Sequence, residues 1–144
     1  MASFMRRWFI AAMFLVVPGT GWAAAACPRP DTAFDAFLAQ FVSDRQFQLE
    51  RIVYPLRVFL GDSQAKAPTS EKWDRQQVKA LASPLLVPRA ELPAHGLKQS
   101  ARAVDAKRIE VVQAATGPTK ARRQFVFELR SKCWYLASYS SLTP

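Results

Sequence analysis

Histidine, cysteine and glycine are scarce in this chain, and acids are outnumbered by bases, 11 Asp and Glu against 20 Lys and Arg. With one histidine (His95), two cysteines (Cys27 and Cys133) and no C-x-x-C, the usual ligand spacings for zinc are missing, and no metal or cofactor is expected. The five glycines form no phosphate-cradling loop, and no G-x-S-x-G elbow occurs. There is no internal repeat and no low-complexity segment. Beyond the first twenty residues no apolar run approaches the length of a membrane span.

What is present begins with an N-terminal pattern. Arg6 and Arg7 stand without an acid, Trp8 to Val17 is apolar throughout, and Pro18, Gly19 and the small stretch Ala23–Ala26 follow. Charged, then greasy, then small is the order of a secretory signal, so residues 1–26 are expected to be a signal peptide and 27–144 a single α+β domain. A retained membrane anchor is the alternative, opposed by Pro18, Gly19 and Gly21 where an anchor would have to continue. The domain carries 18 basic and 11 acidic residues, because the leader removes two arginines and no acid. Its expected compartment is the periplasm.

Cys27 opens this domain and Cys133 lies near its end. In an oxidising compartment the first reading is one disulfide joining the two ends, which by chain entropy stabilises the fold by about 4–5 kcal/mol. The second reading is a lipid anchor at Cys27, preceded by small residues but lacking the usual leucine three positions upstream, and leaving Cys133 an odd thiol.

Along the domain, Thr32-Ala33-Phe34-Asp35 matches a capping box, with Asp31 as an alternative cap. Phe34, Phe37, Leu38, Phe41 and Val42 then follow at the spacing of one helix face, a stripe that packs on a sheet or lines a pocket. Asp44–Phe47 reads as a linker and Val53–Leu60 as a strand. Pro55 places that strand at an edge or beside a bulge. Residues 61–70 read as loop, Ser70–Ser83 as a second helix, Leu85–Val87 as a short strand, and 88–98 as a loop around His95. Ala103–Ala114, Ala121–Leu129 and Cys133–Ser140 read as a closing three-strand meander. In its middle strand, Phe125, Phe127 and Leu129 alternate with polar residues.

The block Phe34-x-x-Phe37-x-x-x-Phe41-x-x-Asp44-x-x-Phe47-Gln48, leading to Arg51-Ile52-Val53-Tyr54-Pro55-Leu56, pairs with Phe125-Val126-Phe127-Glu128-Leu129 and Cys133-Trp134-Tyr135-Leu136. Together these resemble small exported bacterial proteins of the nuclear transport factor 2-like (cystatin-like α+β) superfamily, over most of residues 31–140. The resemblance implies an N-terminal amphipathic helix packed on a curved antiparallel sheet that forms a cone. Members of that superfamily include isomerases, dehydratases, ligand carriers, secretion components and toxin-immunity proteins, so fold leaves function open.

The chemistry-bearing residues are dispersed. Asp44 is the best candidate for an inward carboxylate, with pairing to Arg45 or Arg51 as its structural role, and His95 sits in a loop; either would have to serve a hydrolase or isomerase. Charge is the stronger signal. Residues 98–132 hold nine basic residues against three acids. Lys107, Arg108, Arg122, Arg123, Arg130 and Lys132 are therefore the candidate partner-binding residues, on a basic outer face or rim suited to an acidic protein. A merely solvated face is the alternative. Nucleic acid is not an expected partner of an exported protein. The expectation is a non-enzymatic protein-binding module, foremost an immunity protein against an envelope-targeted toxin. The alternative is a carrier holding a small apolar ligand between the Phe34/Phe37/Phe41 stripe and the meander.

Protein recovered from the periplasm is expected to begin near Cys27 and to have no free thiol. Intact mass before and after reduction and alkylation checks this: two alkyl groups should add only after reduction. A diacylglycerol mass on Cys27, or a Cys133 that alkylates without reductant, would overturn it in favour of a lipoprotein.

Overall fold

The computed structural model describes Cys27 and residues 29–31, 33–62, 67–119 and 121–143. The expected signal peptide and Thr32 of the expected capping box lie outside the described residues. Helix α1 (Phe34–Ser43) buries Phe37, Leu38 and Phe41, the stripe its periodicity marks out. Its N-cap is Ala33, which has no side-chain oxygen to offer, so the cap expected from Asp31 does not form. The expected linker Asp44–Phe47 is instead the start of a second helix, α2 (Arg45–Glu50). The Asp44 carboxylate accepts from the Phe47 N–H at 3.0 Å and satisfies a donor the first turn leaves open.

Strand β1 (Ile52–Asp62) runs longer than expected and lies second from the sheet edge. Pro55 is tolerated because no ladder needs its missing donor. Pairing with β2 begins at Leu56, and pairing with β6 breaks between Ile52 and Arg57.

The helix expected over Ser70–Ser83 divides. Thr69–Trp73 is strand β2, drawn out by pairing with Leu56–Leu60, and only Arg75–Lys79 is helical (α3). Its capping box is Asp74 with Gln77, four residues beyond the Ser70 start. Leu85–Val87 is buried but is no strand, since Pro84 and Pro88 flank it and a side chain, Gln113, serves the Val87 backbone.

The closing meander has four strands, not three: β3 (Leu97–Asp105), β4 (Arg108–Ala115), β5 (Arg122–Arg130) and β6 (Cys133–Thr143). The run expected as one strand over Ala103–Ala114 folds back at Ala106–Lys107, where the Asp105 carboxylate accepts from the Lys107 N–H at 2.8 Å. The sheet order is β2-β1-β6-β5-β4-β3, antiparallel throughout except between β1 and β6.

Curvature comes from a register shift in β6. Phe127 faces Leu136 while Val126 faces Ser138, so Ala137 is an extra residue. Trp134 and Leu136 point inward before it, and Tyr139 does so after it. The bent inner face receives the helices. Phe34, Phe37 and Phe41 meet the Phe127 ring at 5.4, 5.7 and 5.3 Å, each edge-on, and Phe34 also meets Trp134 at 5.1 Å.

The N-terminal segment is tied to the far end of the sheet. Cys27 and Cys133 are paired at a Cα separation of 6.1 Å, within the range a disulfide spans. The Asp31 carboxylate, freed from capping, accepts from Arg51 Nη1 at 3.0 Å and from the Trp134 N–H at 2.6 Å. Arg51 is buried and lies over the rings of Phe47 and Tyr135.

Phe37→Ala and Trp134→Ala are each expected to cost about 3–5 kcal/mol through lost contacts and the cavity left behind. Asp31→Ala is expected to cost a similar ~3–5 kcal/mol by leaving Arg51 buried without its counter-charge. Urea-unfolding midpoints of the three variants check these figures. An Asp31 variant as stable as its parent would reduce the pair to decoration.

Candidate functional site

Three places in this fold could carry function: the interior of the cone, the outer face of the meander and the two ends of the sheet. The interior is filled. Leu85 and Leu86 are buried in the same core as Phe125, Tyr139 and Val78. Above them Gln113, fully buried on the inner face of β4, clamps the adjoining segment. Its Oε1 accepts from the Val87 N–H at 3.1 Å, and its Nε2 donates to the Val87 carbonyl at 2.8 Å and to Gln99 Oε1 at 2.9 Å. Both amide donors and one of its two acceptor positions are thus spent on structure. The Phe34/Phe37/Phe41 stripe makes ring contacts with Phe127 and so serves as a packing face, and Phe37 also reaches the wall of a recess of about 320 Å³ beside Phe47 and Arg51.

The dispersed titratable residues stay dispersed. Asp44 is an exposed helix cap and pairs with neither Arg45 nor Arg51. Arg45 donates instead to Gln48 and, at 2.6 Å, to the Val78 carbonyl. His95 is exposed in its turn, with Nε2 3.9 Å from Glu91. Among the described residues no cluster of three His, Cys, Asp or Glu side chains is placed to hold a metal ion.

The six candidate partner-binding residues fall into separate groups. The β3–β4 and β5–β6 turns lie side by side, joined by the Leu129 N–H donating to the Lys107 carbonyl at 2.7 Å. Lys107, Arg108, Arg130 and Lys132 therefore gather at one end of the sheet. Arg130 Nη2 reaches Glu128 at 2.7 Å and Arg108 lies 3.8 Å from Asp105. Among the described residues Lys107 and Lys132 have no acidic partner. Ser131 and Lys132 both adopt left-handed φ, 48° and 66°, which closes a tight two-residue hairpin of the kind that matches strand twist. The Lys132 carbonyl accepts from the Asp31 N–H at 3.0 Å, which pins this tip. Beside it opens a recess of about 360 Å³ with Tyr135, Arg130 and Glu50 in its walls.

Arg122 stands at the opposite end of β5, roughly 26 Å from Arg130. It joins Arg102 around Glu110, at 3.9 and 3.5 Å, and Gln124 Nε2 donates to the same carboxylate at 2.9 Å. Arg123, one residue on, has the inward parity of Phe125 and Phe127, and thus leaves the outer face altogether. The alternation that puts Arg122 outside must put Arg123 inside.

Two polar residues that the sequence reading passed over prove structural. Gln113 could have been flagged, since it shares the inward parity of Val111 in β4. Tyr54 carries no such signal: its hydroxyl is buried without a hydrogen-bond partner among the described residues. Burial pushes the phenol above its ordinary value of 10.0, against the opposing pull of Arg75 and Arg45.

No protein-family model matches the sequence, and no curated protein is similar to it at a significant level. Solved structures do resemble the fold. An NTF2-like protein from Bacteroides fragilis NCTC 9343 superposes with a TM-score of 0.56 at 16% identity, over 77% of this chain and 47% of that one. This chain thus spans about half the length of that protein. A putative calcium/calmodulin dependent protein kinase II association domain from Xanthomonas campestris gives 0.40 at 13% identity, over 77% and 82%. A protein of unknown function with a cystatin-like fold from Nostoc punctiforme PCC 73102 gives 0.37 at 9% identity, over 76% and 87%. The fold is NTF2-like: α+β, with helices laid on a curved, unclosed sheet of six strands.

Tyr54→Phe is expected to leave stability unchanged or slightly raised at neutral pH, because the hydroxyl it removes is buried and unbonded. A raised folded-state pKa means stability is fully present below pH 10 and is lost as pH rises above it. The parent should therefore fall below the variant in alkaline solution, as paired thermal melts at pH 7 and above pH 10 would show. Equal alkaline loss in both proteins contradicts this environment for Tyr54.

Proposed function

We propose that this protein is a non-enzymatic periplasmic binding module, with residues 1–26 a cleaved leader, that neutralises an envelope-targeted toxin by docking an acidic surface of it. The observation that carries the reading is the gathering of Lys107, Arg108, Arg130 and Lys132 at one end of the sheet, with Lys107 and Lys132 lacking acidic partners among the described residues. Supporting it are the paired cysteines, suited to an oxidising compartment, and a rigid hairpin tip held by Asp31. No described helix is long and apolar enough to cross a membrane. The recess beside the tip offers a place for an anchoring side chain of the partner, framed by an aromatic ring and a guanidinium of the types that dominate interface energetics.

The test pairs the protein with the product of the neighbouring gene. Lys107→Glu with Lys132→Glu is expected to change stability by less than ~0.5 kcal/mol, because both side chains are solvated. The double variant should associate about tenfold more slowly and with a weaker salt dependence than the parent, since such charges mainly steer encounter. Stopped-flow or biosensor kinetics, alongside a co-expression toxicity assay, give the readout. Protection that survives the reversal rules out this end of the sheet. A deletion strain no more sensitive to sister-cell attack removes the immunity reading itself.

A further inference from the structure

The end of the sheet opposite the basic tip holds a feature that the toxin-neutralising reading does not use. There, at the mouth of the filled cone, a cavity of about 250 Å³ is bounded by the start of β3, the start of β5 and the end of β6. Arg123 and His95 contribute its cationic and imidazole groups, Ser141 a hydroxyl, and Val87 and Leu97 its apolar walls, while the Thr143 hydroxyl at its edge donates to the Gly61 carbonyl at 3.4 Å. Arg123 is half-buried, and among the described residues its guanidinium makes no ion pair or hydrogen bond. This differs from Arg51, Arg102, Arg108, Arg122 and Arg130, each of which has an acidic partner.

A charge withdrawn from water without a counter-charge is costly, so an anion entering this cavity would recover much of that cost. We propose that the cavity is a binding site for a carboxylate that carries a short apolar tail. The planar fork of Arg123 matches the two oxygens of a carboxylate, with the Ser141 hydroxyl close by. The tail would lie against Val87 and the half-buried Leu97, on the same side of the sheet as Arg123. Glu91, 3.9 Å from His95, disfavours a multiply charged group such as a phosphate dianion. The volume is below that of a drug-sized pocket, which limits the ligand to a small free acid or the last residue of a peptide.

Arg122 and Arg123 supply the control, because adjacent arginines of equal charge face opposite sides of one sheet. The purified full protein is titrated by calorimetry and by amide chemical shifts with benzoate, hexanoate, benzamide, and a capped dipeptide ending in leucine as free acid or as amide. Saturable binding of the acids and none of the amides is expected, with shifts centred on Arg123 and Ser141. Arg123→Gln should weaken binding at least tenfold, Arg123→Lys should weaken it less, by keeping the charge while losing the fork, and Arg122→Gln should leave it unchanged. Tighter binding of the peptide acid than of either free acid identifies a chain terminus as the ligand. The reverse order identifies a small acid. Equal losses in Arg122→Gln and Arg123→Gln, benzamide binding as well as benzoate, or no saturable binding by any acid overturns the site. Should Arg123→Gln melt early, Arg123→Lys and Arg122→Gln still decide between a pocket and bulk charge. None of these readouts depends on a toxin, so the site can fail while the toxin-neutralising reading stands, and the reverse.

Discussion

The buried pair between Asp31 and Arg51 is the constraint through which the rest of this structure is arranged. Arg51 leads from the second helix into the first strand, and Asp31 belongs to the segment before the first helix. Their contact, extended by Asp31 to the Trp134 N–H and by the Arg51 carbonyl to the Leu136 N–H at 2.8 Å, fixes three chain segments at one point. The paired cysteines close the same junction covalently. A buried ion pair brings little net stability by itself. Its consequence here is positional: it sets where α1 enters, and hence which phenylalanines meet Phe127.

The bulge at Ala137 has the complementary effect on the sheet. By shifting parity within β6 it lets Trp134 and Leu136 face α1 while Tyr139 stacks with Phe125 and meets Trp73 further along. One strand thus serves two packing layers, and the sheet wraps its own contents. The segment Leu85–Val87 completes the filling, sealed by the Gln113 amide. A cone filled in this way leaves the ends and the outer face as the places where other molecules can be met.

Charge is distributed by the same geometry. The basic excess of residues 98–132 looks continuous along the chain, yet hairpin folding sends it to separate addresses. Lys107, Arg108, Arg130 and Lys132 go to one end, Arg122 to a network around Glu110, and Arg123 to the inner rim at the other end. Two neighbouring turns concentrate charge in a way no single stretch of sequence does.

The sequence by itself determined what depends on local period and on chemistry between near neighbours. The α1 stripe, the alternation of Phe125 and Phe127, the β5–β6 hairpin, the break near Pro55 and the turn around His95 could all be read directly, because each is written within a few residues. The α+β cone followed from the order of those blocks, and the distant cysteines suggested their own pairing. Tertiary structure alone decided matters settled by partners far along the chain. Ser70–Trp73 is extended because Leu56–Leu60 pairs with it, and Asp31 abandons capping because Arg51 and Trp134 offer a buried charge and a donor. Leu85–Val87 needs no strand because Gln113 supplies its hydrogen bonds. Long-range pairing outweighs local propensity at such positions, since a satisfied buried polar group is worth more than the few tenths of a kcal/mol that typically separate helix from strand preferences.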